Sequence, residues 1–570
     1  MSKMLTGAAV VAKALQTQGI KYLFGVVGIP IVEVALAAQE VGIKYVGMRT
    51  EQSACYAASA MGYLTKRPGA CLVVSGPGLI NALSGLANSQ VNGWPFLLIG
   101  GSSDEDQEGR GAFQEYPQVE ASRMYCKYSA RPTSIENIPF HIEKAVKCSM
   151  YGRPGSAYID IPGNFVVGEV SEDNLKFYPE VPEPPVMLAC PMLIKNAAKT
   201  LVKAEKPLVI IGKGSAYSKA EMVIKNFVEK YNLPFLPTPM GKGVVPDTHP
   251  LCVSSARSKV LLESDVILLL GARLNWILHF GLPPRFSPDV KIIQIDIVQE
   301  ELHNNVRAEV ALSGDVTAIV EQLHKELELT SWTFPQQSNW WMTLKEKCAA
   351  NAAAVQEMAN DESLPMNYYA AYKQIKDMLP NDALIINEGA NTMDIGRTML
   401  PNILPRHRLD AGTFGTMGVG LGFTLAAALW CQDHAPQKRV VCVIGDSAFG
   451  FSGMEMETIN RFKLPVIIII INNNGIYNGL DLESWKMLEE EKVDVGLSIP
   501  PNSLLPSARY ENIAKMFGGK GFYTSTPKEL KEALEESLKT IDQPCIINVA
   551  IDPVSQRKPQ QFPWLTRSKV

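Results

Sequence analysis

The sequence predicts a three-domain α/β protein in which each domain is a parallel sheet flanked by helices. Three observations carry this. Short β-branched runs bounded by Gly, Pro or Asp alternate with longer amphipathic stretches along the whole chain, the pattern of repeated strand–helix units. Several runs are almost wholly apolar, so their strands need helices over both faces. The 570 residues also divide into several units of ordinary domain size.

The predicted strands are 70–75 and 96–100 in the first unit, 208–212, 266–271 and 291–297 in the second, and 383–387, 440–445 and 466–472 in the third. Pro179, Pro182, Pro184 and Pro185 make 177–186 unfit for a helix interior or a central strand, so this stretch is a stiff linker. A second break follows where an alanine-rich helix around Ala349 gives way to Asp361-Glu362-Ser363-Leu364-Pro365. The expected domains are 1–175, 187–345 and 366–555, with a C-terminal tail at 556–570.

Composition narrows the function. Lys and Arg number 54 against 58 Asp and Glu, a net charge of −4, so there is no basic field for nucleic acid. No apolar run approaches the roughly 18 residues that cross a bilayer, and the N-terminus lacks a secretory pattern, so no membrane association is expected. Ten cysteines without zinc or redox spacing read as reduced, mostly buried thiols of an intracellular protein. Seven scattered histidines make a histidine-built metal site improbable and leave a carboxylate-built one open.

The most specific signal lies in the third unit. Gly445-Asp446-Ser447 follows one apolar strand and Asn472-Asn473-Asn474-Gly475 follows another, with Asp446 and Asn473 27 residues apart. Both segments fall at strand C-terminal ends, the ligand-binding edge of a parallel sheet, where Asp446 and the Asn473 side-chain oxygen could share Mg2+. A cation held by so few side chains keeps positions for phosphate oxygens, which implies a diphosphate ligand. The stretch 449–453, read as a loop before a helix starting near Met454, would turn backbone N–H groups toward those phosphates.

This spacing resembles the diphosphate-binding motif of thiamine-diphosphate enzymes, with Ser447 where the motif usually has a second glycine. The resemblance implies that the carbonyl of Gly475 completes the Mg2+ site and that Gly445, Ser447, Ala448, Asn473 and Ile476 line the cofactor. It also demands a glutamate after an early strand. Lys44-Tyr45-Val46-Gly47-Met48-Arg49-Thr50-Glu51 supplies it, and Glu51 would hydrogen-bond the aminopyrimidine and promote the tautomer that activates the cofactor. Ser75-Gly76-Pro77-Gly78 with Asn81 looks like the Gly-Pro-Gly turn near the cofactor, and Gly415-Thr416-Met417-Gly418 like the stretch that receives the pyrimidine, Met417 keeping the cofactor bent. In such enzymes the first and third domains of different subunits meet, so a homodimer is the minimum and a dimer of dimers is usual.

The middle unit has a glycine turn at Lys213-Gly214, but Tyr217 stands where a dinucleotide fingerprint has its third glycine, which speaks against a nicotinamide cofactor. Asp296 and Arg273 after strands suit an adenosine nucleotide, and a purely structural domain with an empty crevice is the other reading.

Over its whole length the chain resembles the peroxisomal 2-hydroxyacyl-CoA lyases, with oxalyl-CoA decarboxylases as near kin. The marks are Gly111-Ala112-Phe113-Gln114-Glu115-Tyr116-Pro117-Gln118-Val119-Glu120, Asn387-Glu388-Gly389-Ala390-Asn391 and Arg406-His407-Arg408-Leu409-Asp410, with the motifs above. The resemblance implies cleavage of 2-hydroxyacyl-CoA to formyl-CoA and an aldehyde one carbon shorter, as in fatty acid alpha-oxidation. Asn391 joins the cofactor residues, and Arg153, Lys213, Arg273 and Asp296 match positions that hold ADP in the decarboxylases. Phe113-Gln114 stands where the decarboxylases have Tyr-Glu. The neutral Gln114 would orient the substrate's 2-hydroxyl, and Phe113 would offer apolar surface to an acyl chain. Arg406 and Arg408 could meet CoA phosphates or form a solvated basic loop. Residues beyond Asp552, with Arg557, Lys558, Phe562 and Trp564, read as a lid over CoA or an unattached tail. Ser568-Lys569-Val570 resembles a peroxisomal address except at its last residue, so an import receptor is a possible partner and an ordinary cytoplasmic tail the alternative. The rival functions are oxalyl-CoA decarboxylase, acetolactate synthase and a non-catalytic nucleotide- or CoA-binding homologue.

Overall fold

The computed structural model describes residues 3–558. Phe562, Trp564 and the Ser568-Lys569-Val570 ending lie outside the described residues. Three parallel sheets dominate the chain, beside a two-stranded antiparallel ribbon that pairs Met4–Thr6 with Glu169–Ser171. The first has the spatial order Lys44–Gly47, Tyr22–Val26, Gly69–Val73, Phe96–Ser102, Ser156–Pro162, Tyr128–Ala130. The third has the order Arg408–Asp410, Leu384–Glu388, Val440–Gly445, Ile467–Asn472, Cys545–Ala550, Lys520–Thr524. Numbered within its own domain, each sheet runs 2-1-3-4-6-5, so the two share one topology. The middle sheet has five strands, with Pro207–Ile211, Val266–Leu270 and Lys291–Asp296 at its centre.

Central strands such as Val266–Leu270 and Ile467–Asn472 are buried at every residue, because helices cover both faces and leave no position for alternation. The helix Gly420–His434 is buried along almost its whole length because it is sandwiched between the third sheet and the helix Glu51–Thr65. Small residues allow that approach: a Cβ on Gly422 would lie 2.8 Å from the Ser53 carbonyl. Trp94 packs on Phe423 with ring centroids 5.1 Å apart, so the first and third domains share one apolar core, while the middle domain has its own.

Two expectations are corrected. Residues 449–453 are not a loop before a helix: helix begins at Asp446 itself and runs to Ser452, with a second from Glu455 to Arg461. The first-turn N–H groups are therefore those at Asp446, Ser447 and Ala448, of which Ser447 N–H donates to Asp446 Oδ1. All ten cysteines are free, as expected, but only Cys55, Cys71, Cys431, Cys442 and Cys545 are buried. Among the described residues no helix is long and apolar enough to cross a membrane.

Candidate active site

The strands Val440–Gly445 and Ile467–Asn472 are neighbours in register, Gly445 opposite Ile471, which brings Asp446 and Asn473 to one sheet edge. Asp446 is buried, with Oδ1 accepting from Ser447 N–H at 2.8 Å and Oδ2 from Gly475 N–H at 3.0 Å. These donors do not offset its loss of water, and burial pushes the carboxyl up to about 7. A divalent cation would supply the missing positive charge. Asn473, also buried, donates Nδ2–H to the Tyr477 carbonyl at 2.9 Å, leaving Oδ1 as its acceptor end. Gly475 has no room for a side chain: its Cβ would run into the carbonyls of Asn478 and Asn502. One carboxylate, one amide oxygen and a backbone carbonyl are a hard-oxygen set that fits Mg2+, and the helix N-terminus at Ser447 and Ala448 fits its diphosphate.

Two more segments flank this edge. Asn391, on the helix Ala390–Met399, donates to the same Tyr477 carbonyl at 3.4 Å. The turn Gly415–Gly418 has left-handed glycines at both ends, φ +69° and +85°, and leaves Met417 43% exposed. Ile476 is also partly exposed, at 44%.

The first domain supplies a second cluster. Glu51 opens the helix Glu51–Thr65, whose N-cap Thr50 accepts from Ser53 N–H. Glu455 of the third domain accepts from Arg49 N–H and Thr50 N–H at 3.1 Å, fixing the approach to Glu51. Asn81 donates to Glu51 Oε2 at 3.2 Å from the first turns of the helix Pro77–Asn92. Gln114, at φ +55°, accepts from the Ser75 hydroxyl at 3.2 Å, and its backbone closes against Gly76. Phe113 beside it is 73% exposed. Glu51, Pro77, Asn81 and Gln114 are thus neighbours.

Among the described residues no hydrogen bond links Glu51, Asn81 or Gln114 to Asp446, Asn473 or Met417. Thr416 instead meets Asn88 at 2.8 Å. Asn88 lies two helical turns beyond Asn81, about 10 Å along the axis. Within one chain the Glu51 cluster and the Asp446 cluster are therefore two separate groups.

Sequence reasoning assigned no role to three residues that organise them. Gln118 accepts from Gly76 N–H at 2.6 Å and donates to Asp160 at 2.7 Å, holding the Gly-Pro-Gly turn from below. Glu455 and Glu388, treated below, were likewise passed over. Each has partners distant in sequence, which no local pattern records.

A cavity of about 2010 Å³ opens between the middle domain, the helix Asn339–Ala359 and the third domain, lined by ten Lys and Arg, among them Lys347, Lys373 and Lys558, and by five carboxylates, of which Asp394 pairs with Arg557 at 2.7 Å and Arg397 at 3.0 Å. The helix Ala390–Met399 connects it to the diphosphate edge, carrying Asn391 at one end and lining the cavity with Asp394, Ile395 and Thr398. Gln556 adds a second link by accepting from the Tyr477 hydroxyl at 2.8 Å. Arg406 and Arg408 do not line this cavity. Arg406 is tied to Glu221 at 3.0 Å and to the Ala216 carbonyl at 2.6 Å, and Arg408 is sealed in an edge strand beneath the domain contact.

A smaller cavity of about 580 Å³ brings together Arg153, Lys213, Arg273 and Asp296. Their charges are partly committed: Arg153 pairs with Glu301 at 2.7 Å and with Asp296 at 3.7 Å, and Arg273 donates to the Val91 carbonyl at 2.8 Å. Lys213 contacts the Asn92 carbonyl, and burial beside Arg273 and Arg153 holds its amine well below the usual range.

Three family models match: thiamine pyrophosphate enzyme, N-terminal TPP binding domain, over 5–121; central domain, over 194–323; and C-terminal TPP binding domain, over 388–549. The chain is 57% identical to "2-hydroxyacyl-CoA lyase 1" of Homo sapiens over 568 residues, covering 100% of this chain and 98% of that protein. It is 58% identical to the Mus musculus protein of the same name, again covering 100% of this chain and 98% of the relative. It is 40% identical to "Oxalyl-CoA decarboxylase" of Escherichia coli (strain K12), covering 97% of this chain and 96% of that protein. With all three domain models matched and such identity over its full length, this chain belongs to the thiamine-diphosphate-dependent 2-hydroxyacyl-CoA lyase family.

Proposed function

We propose that this chain cleaves 2-hydroxyacyl-CoA to formyl-CoA and an aldehyde one carbon shorter, in the manner of fatty acid alpha-oxidation. The observation that carries this is the cation-rich cavity whose lining helix Ala390–Met399 also bears Asn391, hydrogen-bonded to the Tyr477 carbonyl of the diphosphate edge. Its size and its excess of cations, ten Lys and Arg against five Asp and Glu, suit the phosphates and adenine of CoA, and the helix Ala390–Met399 that lines it also carries Asn391 to the cofactor edge. Bound thiamine diphosphate supplies the carbanion chemistry.

The protein's own groups do the rest. Asp446, Asn473 and the Gly475 carbonyl hold Mg2+; Gly445, Ser447 and Ala448 present the helix N-terminus to the diphosphate; Ile476 and Met417 shape the cofactor's apolar side. Glu51 holds a proton at the aminopyrimidine, oriented by Asn81, with Pro77 closing the turn beside it. Gln114 hydrogen-bonds the 2-hydroxyl without adding charge, and Phe113 offers apolar surface to the acyl chain.

The two half-sites close across a dimer, the exposed Phe113, Met417 and Ile476 being covered by the partner, and two dimers form a tetramer. In the smaller cavity Lys213 and Arg273 would meet the phosphates of ADP, which a titration with ADP would detect. Ser568-Lys569-Val570 directs the chain to peroxisomes, a role read out by locating a fluorescent fusion with and without those residues. The activity is tested with purified protein, thiamine diphosphate and Mg2+: a 2-hydroxyacyl-CoA yields aldehyde and formyl-CoA. Efficient release of CO2 from oxalyl-CoA with no aldehyde from the hydroxyacyl substrate would overturn it.

A further inference from the structure

We infer that Glu388 is a positioning residue for the cofactor, its buried carboxylate pinning the turn that carries Met417 in the shape that seats the aminopyrimidine ring. The inference rests on the reading of Gly415–Gly418 as that seat.

Glu388 ends the central strand Leu384–Glu388 and is only 1% exposed. One carboxylate oxygen accepts from Gly418 N–H and the other from Gly420 N–H at 2.6 Å, so the side chain grips the backbone on both sides of Val419, immediately after Met417. Among the described residues no Lys, Arg or His forms an ion pair with it. Burial therefore raises its carboxyl to about 7 despite those donors.

The surrounding turn is fitted to this carboxylate. A Cβ on Gly420 would lie 2.7 Å from Glu388 Oε2, and Gly418 sits at φ +85° with Phe451 closing in, its Cβ 3.0 Å from where a Gly418 side chain would start. Burying an uncompensated carboxylate lowers stability, and two backbone N–H groups can be satisfied by neutral acceptors at less cost. The residue therefore makes sense where the turn must be held in one geometry. It also links the two parts of the cofactor edge. The next residue, Gly389, at φ +102°, leads into the helix whose Asn391 reaches the Tyr477 carbonyl of the Mg2+ loop.

A pyrimidine-positioning role separates two ligands that share the diphosphate site. In the full-length protein with Mg2+, Glu388→Gln should bind thiamine diphosphate about tenfold or more weakly than wild type. Inorganic diphosphate, which has no ring to seat, should bind within about twofold of wild type. Equal weakening of both ligands, or of neither, would overturn the inference, since a merely structural role does not distinguish them. Should Glu388→Gln fail to fold, Glu388→Asp, one methylene too short to grip both N–H groups, carries the same expectation. Met417→Ala serves as the control for the underlying reading. If it weakens thiamine diphosphate while Glu388→Gln and Glu388→Asp do not, the inference about Glu388 alone fails; if it changes nothing, the turn is not the seat and both fall.

Discussion

The first and third domains have the same strand order yet opposite chemistry at their sheet edges. After the second strand in each domain comes Glu51 in the one and the Met417 turn in the other. After the third come the Gly76-Pro77 turn and Asp446, and after the fourth, Phe113-Gln114 and Asn473-Gly475. In the proposed function one edge carries a proton-handling carboxylate with neutral substrate-facing groups, and the other carries a cation site and a helix N-terminus. The same fold thus presents two complementary surfaces, and function lies in the loops that differ.

Substitution at either edge separates the two roles. Glu51→Ala should reduce turnover about a thousandfold while leaving Mg2+-dependent cofactor binding nearly intact. Near-normal turnover would remove the first domain from the chemistry. Next in size, Lys347→Ala and Arg557→Ala should each raise KM for the CoA thioester about tenfold with little change in kcat, because the proposed function sets them at the carrier and not at the reacting carbons. An unchanged KM would move CoA out of the large cavity.

Smaller effects concern stability. Gly420→Ala should destabilise by about 1–3 kcal/mol by crowding Glu388 and Ile444, as read by denaturant unfolding. Glu388 is raised in the folded chain, so folding takes up a proton there, and the stability tied to that proton is complete below its ordinary 4.5 and is lost as pH rises through about 7. Glu388→Gln cannot titrate, so its melting temperature relative to wild type should rise between about pH 5 and about pH 8. The smallest effect belongs to Arg406→Ala, which should cost under about 1 kcal/mol through its Glu221 pair and leave KM for CoA unchanged.

The sequence makes the parallel sheets legible because doubly buried strands are continuous apolar runs, and it exposes Asp446 and Asn473 because both follow such strands. It hides whatever depends on long-range backbone contacts. Glu388 looks like an ordinary strand end until its partners at Gly418 and Gly420 are seen, and Arg408 looks like a surface cation until its strand is found sealed at a domain contact. The shared topology of the first and third domains is not legible as a repeated motif, since the loops after matching strands differ in chemistry.

Whether the two edges meet between copies of the chain is read out by subunit complementation. Glu51→Ala and Asp446→Ala proteins, each inactive alone, are mixed so that subunits exchange. In a mixed dimer one site collects both substitutions and the other collects neither, so activity should return to about a quarter of wild type at equal mixing. If both edges of a site came from one chain, every chain would carry a broken site, and the mixture would stay inactive.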